Sequence, residues 1–545
     1  MINKTFRVFV SSTFQDFLTE REIINNKLSA EIEAYCRKKG YSVQFVDLRW
    51  GISAEAASNQ KTMPICLGEV DRCNRLSPRP NFIAMIGNRY GWVPLPYAIK
   101  ETEFKIIDAA VCKHDKYILN RWYKLDENAA IPEYVLIPRA GRYIDNDIWS
   151  AEESVLRDIF QDVVSKNIIQ GNAVDKYVKS ATEQEIIEGL LNNKKSALDT
   201  ITIFKKLESG EDTKSIAEIK KRIECKYRED SAEDNLIYID RDEIYEQTFE
   251  KELFNALKKN IDREIDRLER TETDLTEERK HIGFAHDKSE NYIKSNGFNE
   301  VKNYILSECE TGFNEPMYVI GPSGTGKSTL LAKAACEHEN ECICRFSGAT
   351  YESMTLFEIL NSVISDIRGR YEFGFDSNVS KKNLSDKFEE TLYLVPDNEK
   401  LIIILDGIDV CTDISEYNEN VFPLSIPGNV KLIISSTPDC RLTGMGKRIH
   451  IRYMDEYTGW LLFKQTLEKN NRRIRNGRQV QHIKDIIKGK HSAIYIYILA
   501  LICTDLRSFD EMPEISGDED QICSEIVTHI CVKRGHSKNI VLKVL

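Results

Sequence analysis

The residues Gly321-Pro-Ser323-Gly324-Thr325-Gly326-Lys327-Ser328 fill the spacing G-x-x-x-x-G-K-[ST] completely. That spacing solves one chemical problem, the holding of a polyphosphate chain. Glycines let consecutive backbone N–H groups turn inward at the positive end of a helix, where anions are stabilised. Lys327 is expected to reach the β- and γ-phosphates of a nucleoside triphosphate, ATP, and the Ser328 hydroxyl to ligate Mg²⁺. Ser323, Gly324, Thr325, Gly326 and Thr329 complete the expected contacts to the nucleotide.

The matching half of such a site is Leu401-Ile-Ile-Ile-Leu-Asp406-Gly-Ile-Asp409. An aspartate that ends an all-apolar strand is where a Walker B carboxylate holds magnesium through water. Ser328 and Asp406 are therefore the candidate metal ligands. Asp406 and Asp409 are the candidate catalytic carboxylates, with Asp409 placed to polarise an attacking water or complete the metal shell. Ser436 and Thr437 end the next apolar run, Lys431-Leu-Ile-Ile-Ser. They are either γ-phosphate sensors or simply polar residues at a strand end.

These groups need rigid elements to position them. Met317–Ile320 reads as the strand feeding the phosphate loop and Lys327–Cys336 as the helix leaving it. Cys342–Phe346, Leu401–Leu405 and Val430–Ile434 read as buried parallel strands, because they are continuously apolar. After Ile451 the pattern turns helical. Upstream, Phe6–Ser11, Tyr41–Leu48 and Asn81–Ile86 alternate with helical periodicity over Phe17–Lys38 and Lys61–Cys73, a second parallel α/β sheet. Lys100–Lys179 is charged and poorly periodic, an apparent insertion. Ser180–Leu207 reads as helical and Leu236–Ile239 as this domain's last strand. Phe249, Leu253, Leu257, Ile261, Ile265 and Leu268 form one stripe of a long helix. It is expected to pack on the domain, with a coiled-coil seam as the alternative.

The expected organisation is an α/β domain over 1–268 with an insertion at 100–179, a charged linker over 269–290, a P-loop NTPase core over 291–450 and a helical domain over 451–525. Residues 526–545 read as the start of a winged helix.

Composition narrows the class. The 545 residues suggest two to four domains. Hydrophobic residues at 41% and charged residues at 30% fit a soluble globular chain. A net charge of −12 argues against general nucleic-acid binding, though an acidic total can hide a local basic patch. The amino terminus lacks the apolar run of a signal peptide, and Ala493–Cys503 is too short to span a bilayer. The 14 cysteines follow no disulfide framework, and Cys342-Ile-Cys344 lacks the second pair a zinc site needs. No membrane association and a cytoplasmic location are the expectations.

Two resemblances sharpen the reading. Asp406-Gly-Ile-Asp409 with Ile426-Pro-Gly-Asn-Val-Lys-Leu-Ile-Ile-Ser-Ser resembles the NACHT-type branch of the STAND NTPases, over about 291–509. It implies an ATPase whose nucleotide state controls homo-oligomerisation in response to a trigger, for instance a phage or other foreign protein. Two departures stand out: no arginine directly follows Ser436-Thr437, and Ser492-Ala-Ile replaces the usual nucleotide-contacting proline. Binding is thereby implied more strongly than fast turnover.

Phe6-Arg-Val-Phe-Val-Ser-Ser-Thr-Phe-Gln-Asp, Asp47-Leu-Arg-Trp-Gly-Ile and Gly87-Asn-Arg-Tyr-Gly-Trp-Val-Pro resemble a TIR-like, flavodoxin-like domain. That domain precedes the NTPase module in telomerase-associated protein, nephrocystin-type proteins and bacterial antiviral STAND proteins. TIR-type domains can cleave NAD with a glutamate on a helix, and Ser180-Ala-Thr-Glu183-Gln-Glu185-Ile-Ile-Glu-Gly189 is similar to that helix. The resemblance makes Glu185, with Glu183 beside it, the candidate catalytic carboxylate for an NAD substrate. The competing expectations are helix capping and solvation for these glutamates, and a protein-interaction or filament-forming role for the domain. Arg49 and Trp50 are expected either to contact a nucleotide or to pack in a loop. Glu69 is expected to be a solvated or ion-paired surface residue.

Overall fold

The computed structural model describes residues 4–13, 15–48, 59–192, 197–206, 213–240, 242–273, 276–290, 292–294, 296–308, 312–374, 376, 378–489 and 491–534. Two compact units form, one mainly from residues 2–271 and one mainly from 272–526.

In the first unit, β1 (Thr5–Ser12), β2 (Ser42–Val46), β3 (Phe82–Ile86), β7 (Thr200–Lys206) and β8 (Leu236–Asp240) make a parallel sheet in the order β2-β1-β3-β7-β8. Helices cover both faces because the central strands are apolar on both sides. One face packs under the helical run 18–37 (α1) and under Tyr245–Thr273 (α8). The stripe Phe249, Leu253, Leu257, Ile261, Ile265 and Leu268 is buried there, so it serves this core and not a dimer seam. The other face meets α2 (Thr62–Leu76), α6 (Ala181–Ile186, continued by a π turn to Leu191) and α7 (Lys214–Glu229).

Several expectations change. The span 180–207 is not all helical, because β7 occupies its end and pairs with both β3 and β8. Thr200-Ile-Thr-Ile-Phe is β-branched and aromatic, and inter-strand pairing on both edges overrides the helical periodicity that precedes it. The insertion folds as β4 (Ala98–Lys100), β5 (Tyr123–Asp126) and β6 (Glu133–Leu136) with α3 (Glu101–Ala110), α4 (Lys113–Trp122) and α5 (Asn146–Ser165). Its own core includes Phe104, Leu119, Trp122, Trp149 and Phe160. Glu69 is ion-paired, to Arg7 at 3.2 Å and Arg72 at 2.8 Å, but it is buried and not at the surface. Arg49 and Trp50 lie outside the described residues.

The second unit holds a parallel sheet of β9 (Met317–Ile320), β10 (Cys342–Phe346), β11 (Leu401–Asp406), β12 (Val430–Ser436) and β13 (Lys447–His450). Its order is β10-β11-β12-β9-β13. On one face lie α9 (Glu277–Ser289), α10 (Asn296–Leu306) and α11 (Lys327–Glu337); on the other, α12 (Leu356–Arg370) and α13 (Leu384–Leu392). Three helices, α14 (Glu456–Lys469), α15 (Gly477–Ile487) and α16 (Ala493–Ile502), build a separate small core.

The charged stretch read as a linker at 269–290 contains a packed helix. In α9, Ala285 is buried in the core, and His281 accepts from the Phe346 amide through Nδ1 at 3.0 Å. Nε2 of the same ring pairs with Glu277 at 3.1 Å, which in turn takes the Thr350 hydroxyl. The histidine fixes the helix to a strand end, while Ile282, Phe284 and Ala285 of the same helix pack against the core. The boundary read at 526 falls inside the helix Glu519–Arg534 (α17), and 535–545 lie outside the described residues. Among the described residues no helix is long and apolar enough to cross a membrane.

Candidate functional site

In the second unit, β9 is fully buried and delivers Gly321 between β12 and β13. Gly324 and Gly326 adopt φ of +75° and +94°, a region that L side chains rarely enter. A Cβ on Gly324 would also meet the Ile494 side chain at 2.5 Å. The loop hands over to α11 at Gly326, which has no side-chain cap, so the helix's first N–H groups remain available to an anion. Thr325 braces the loop by donating to the Pro322 carbonyl at 2.8 Å, and Ser323 is exposed at its crown. The Ile494 amide donates to the Gly324 carbonyl at 3.1 Å, so α16 fastens the loop from outside. Ser492 caps α16 by accepting from the Tyr495 amide.

Lys327 is buried and donates to the carbonyls of Gly321 at 2.7 Å and Pro322 at 3.0 Å. Burial holds its amine below the usual lysine range, against the pull of Asp409 and Asp406. Asp406 ends β11, buried, and accepts from the Ser435 hydroxyl at 2.5 Å. Burial pushes its carboxyl up from the ordinary range; hydrogen bonds from Ser328 and Ser435 and the charge of Lys327 oppose that, while Asp409 adds repulsion. Gly407 enters the left-handed region at φ +69° and turns the chain so that Asp409 follows on a 3-10 turn. Lys327 and Ser328, from the phosphate loop, and Asp406 and Asp409, from a distant strand end, therefore form one electrostatic unit. A loop whose glycines take the left-handed turns, a buried amine and a hydroxyl–carboxylate pair fit a triphosphate with Mg²⁺. Ser435, between Asp406 and the Gly407 amide (2.8 Å), went unnoticed in the sequence, where it was one more strand residue. Ser436 is buried at the end of β12, beside the Gly321 amide that its carbonyl accepts at 3.3 Å.

A second polar cluster occupies the carboxyl edge of the first unit's sheet. Asp16 takes the Thr13 hydroxyl at 2.9 Å and the Arg89 amide at 3.2 Å, and pairs with the Arg89 guanidinium at 3.1 Å. A Cβ on Gly87 would strike Asp16 at 2.9 Å. Two of the three motifs thus interlock with each other, which accounts for Gly87. Asp47, from the second motif, is clasped by Arg21. Beneath them Lys205 donates to Glu20 at 2.5 Å, which also accepts from Tyr245 at 2.5 Å.

The two candidate glutamates diverge. Glu185 turns inward and accepts from the Ser11 hydroxyl at 2.6 Å. Glu183 lines a narrow crevice of about 10 Å³, room for about one water, together with Thr13, Gly87, Arg89, Tyr90 and Thr182. Its carboxylate accepts from Tyr90 at 2.5 Å and Arg222 at 3.2 Å and pairs with Lys179 at 3.5 Å. Burial and then Glu183 push the Tyr90 phenol well above its usual range, so it stays a donor. Gly189, the small residue of the Glu185-Ile-x-x-Gly spacing, has a packing reason: a Cβ there would meet the Phe82 ring at 2.5 Å. Arg222 comes from α7, and no local pattern marked it.

Residues 7–123 match the family described as a domain of unknown function, DUF4062. The chain is 25% identical over 562 residues to the NACHT and WD repeat domain-containing protein 2 of Mus musculus, covering 88% of this chain and 32% of that protein. It is 23% identical over 476 residues to the NACHT domain- and WD repeat-containing protein 1 of Mus musculus, covering 77% and 30%. Over 98 residues it is 31% identical to telomerase protein component 1 of Mus musculus, covering 18% and 4%. The chain spans about a third of the length of the two NACHT relatives.

Proposed function

We propose that this chain is a nucleotide-gated signalling ATPase of the NACHT type, carrying a TIR-like amino-terminal effector domain. The observation that carries the reading is the convergence of Lys327, Ser328, Asp406 and Asp409 at one end of a parallel sheet. Similarity to NACHT-domain proteins along most of the chain supports it.

Each residue has a task. Lys327 exchanges its two carbonyl acceptors for β- and γ-phosphate oxygens. The uncapped amides after Gly326 face the phosphates. Ser328 and Asp406 are the residues that would hold Mg²⁺, which would supply charge neutralisation on the phosphates. Ser435 fixes the Asp406 carboxylate, and Asp409 orients the attacking water. Replacing Lys327 by Ala removes a buried charge-assisted contact, so ATP affinity falls about tenfold to a hundredfold. Titration calorimetry giving equal affinity for variant and parent would overturn the reading.

Because α16 is hydrogen-bonded to the Gly324 carbonyl, changes at the phosphates reach the helical region directly. The ATP-bound protein is expected to assemble into larger homo-oligomers than the ADP-bound one. Sedimentation velocity with ATP, ADP and no nucleotide checks this, and three identical distributions reject nucleotide gating of assembly.

For the effector, the reading is NAD cleavage upon assembly, in a cytoplasmic defence sensor triggered by a foreign protein. It draws on the TIR-like motifs and on the crevice at the sheet's carboxyl edge, where open α/β sheets bind ligands. A second reading, an interaction or filament-forming module, is favoured by one observation. Glu183 and Glu185 both already have partners within the protein.

A further inference from the structure

Asp406 and Asp409 are joined by a turn that is held from outside their own strand. The peptide group between Asp406 and Gly407 is fastened at both ends. Its carbonyl accepts from the Ser347 amide at 3.0 Å and from the Ser347 hydroxyl at 2.9 Å. Its amide donates to the Ser435 hydroxyl at 2.8 Å. The Ser347 hydroxyl also lies 3.4 Å from the sulfur of Cys411, the residue that closes the 3-10 turn carrying Asp409. Half-buried Ser347 therefore touches both the entry and the exit of that turn. One donor is enough to satisfy the Asp406 carbonyl, and the Ser347 amide supplies it. The hydroxyl takes the second lone pair, which fixes the direction of the peptide plane.

Ser347 itself sits in a turn that α9 anchors on either side of it. Phe346, which faces Asp406 in the register of β10 with β11, donates its amide to His281 Nδ1 at 3.0 Å. Thr350 donates its hydroxyl to Glu277, the same carboxylate that pairs with His281 Nε2 at 3.1 Å. Within the turn the Ala349 amide closes onto the Phe346 carbonyl at 3.1 Å. His281 is fully buried, and burial holds its ring below the usual histidine range against the pull of Glu277. With Nδ1 accepting an amide, the ring is neutral and carries its proton on Nε2. The first helix of the second unit thus sets where Ser347 stands, and Ser347 sets the turn of the two aspartates.

We infer that Ser347 is a positioning residue for ATP hydrolysis, holding Asp409 toward the attacking water, and that α9 controls it through His281 and Glu277. The inference rests on the ATPase reading of this site. Reacting groups work only when the contacts around them hold them to within a fraction of an ångström. Ser347, His281 and Glu277 all lie outside the loop that cradles the phosphates, and Lys327 and the loop amides do not depend on them. A displacement of α9 therefore slows hydrolysis and leaves nucleotide affinity in place. That separation gives the unit a way to keep ATP bound and unhydrolysed.

The test uses the full chain, with steady-state ATP hydrolysis and titration calorimetry on each variant. Ser347→Ala lowers kcat about tenfold while ATP affinity stays within about twofold of the parent, which also shows that the fold is intact. In the Asp409→Asn background the same substitution costs less than about twofold more, because its route to the reaction is already cut. His281→Phe keeps the ring stacked on Phe346 but removes the acceptor, and kcat falls as in Ser347→Ala. His281→Asn, which restores an acceptor at the δ1 position, recovers most of the rate. Ser347→Ala leaves every backbone bond in place, so it decides the matter even where His281→Phe does not fold. A parent without ATP hydrolysis overturns the ATPase reading and this inference with it. An active parent overturns the inference alone if Ser347→Ala keeps the parent kcat, if rate and affinity fall together, or if the losses from Ser347→Ala and Asp409→Asn simply add.

Discussion

Asp406→Asn is expected to lower magnesium-dependent ATP hydrolysis by about a hundredfold or more, equivalent to about 2.7 kcal/mol of barrier. The amide is isosteric and still accepts from Ser435, so the fold and the strand end persist. What disappears is the negative charge that faces Lys327 and that, in the proposed reading, would hold Mg²⁺ together with Ser328. Nucleotide docking survives better than in Lys327→Ala, because the loop amides and the lysine are untouched. Turnover measured at saturating magnesium distinguishes the roles, and an unchanged rate would remove Asp406 from the metal site. Asp409→Asn tests the neighbouring role in the same assay, with a fall in rate and little change in magnesium dependence.

The second large effect concerns the effector domain. Glu183→Gln is expected to reduce nicotinamide release from NAD by about a hundredfold or more in the ATP-assembled protein. In that reaction the C1′–N bond breaks and nicotinamide leaves with the electron pair. Water then adds to the ribosyl cation, yielding ADP-ribose and a proton. A fixed carboxylate beside the cation stabilises it as it forms, as carboxylates do in glycosidases. Glu183 is the stronger candidate of the two because it lines the crevice and Glu185 does not. Glu185 is turned onto Ser11, so Glu185→Gln is expected to cost less. Exposed Glu188 supplies the control. If Glu185→Gln costs more than Glu183→Gln, the assignment reverses. If the assembled parent leaves NAD intact, the interaction-module reading replaces cleavage.

The candidate phosphate site was legible in the sequence because its pattern is local. Glycine spacing, Lys327, Ser328 and the apolar run into Asp406 each depend on residues adjacent in the chain, and the parallel strands announced themselves as continuous apolar runs. The long-helix stripe was legible for the same reason, since period alone marks the buried face.

What the chain order hides is partnership between distant residues. Thr200–Lys206 became a central strand only because β3 and β8 present open edges on either side of it. The charged stretch after 269 became a packed helix because Ile282, Phe284 and Ala285 found the core and His281 found the Phe346 amide 65 residues away. Glu183 and Glu185, two residues apart and chemically identical, were inseparable by pattern. Tertiary structure gave one of them Ser11 from the first strand and the other Tyr90 and Arg222 from a loop and a later helix. The sequence by itself determined which groups are able to do chemistry. The packing of helices against two parallel sheets decided which of those groups meet, because hydrogen-bond partners and burial are set by contacts that no local spacing encodes.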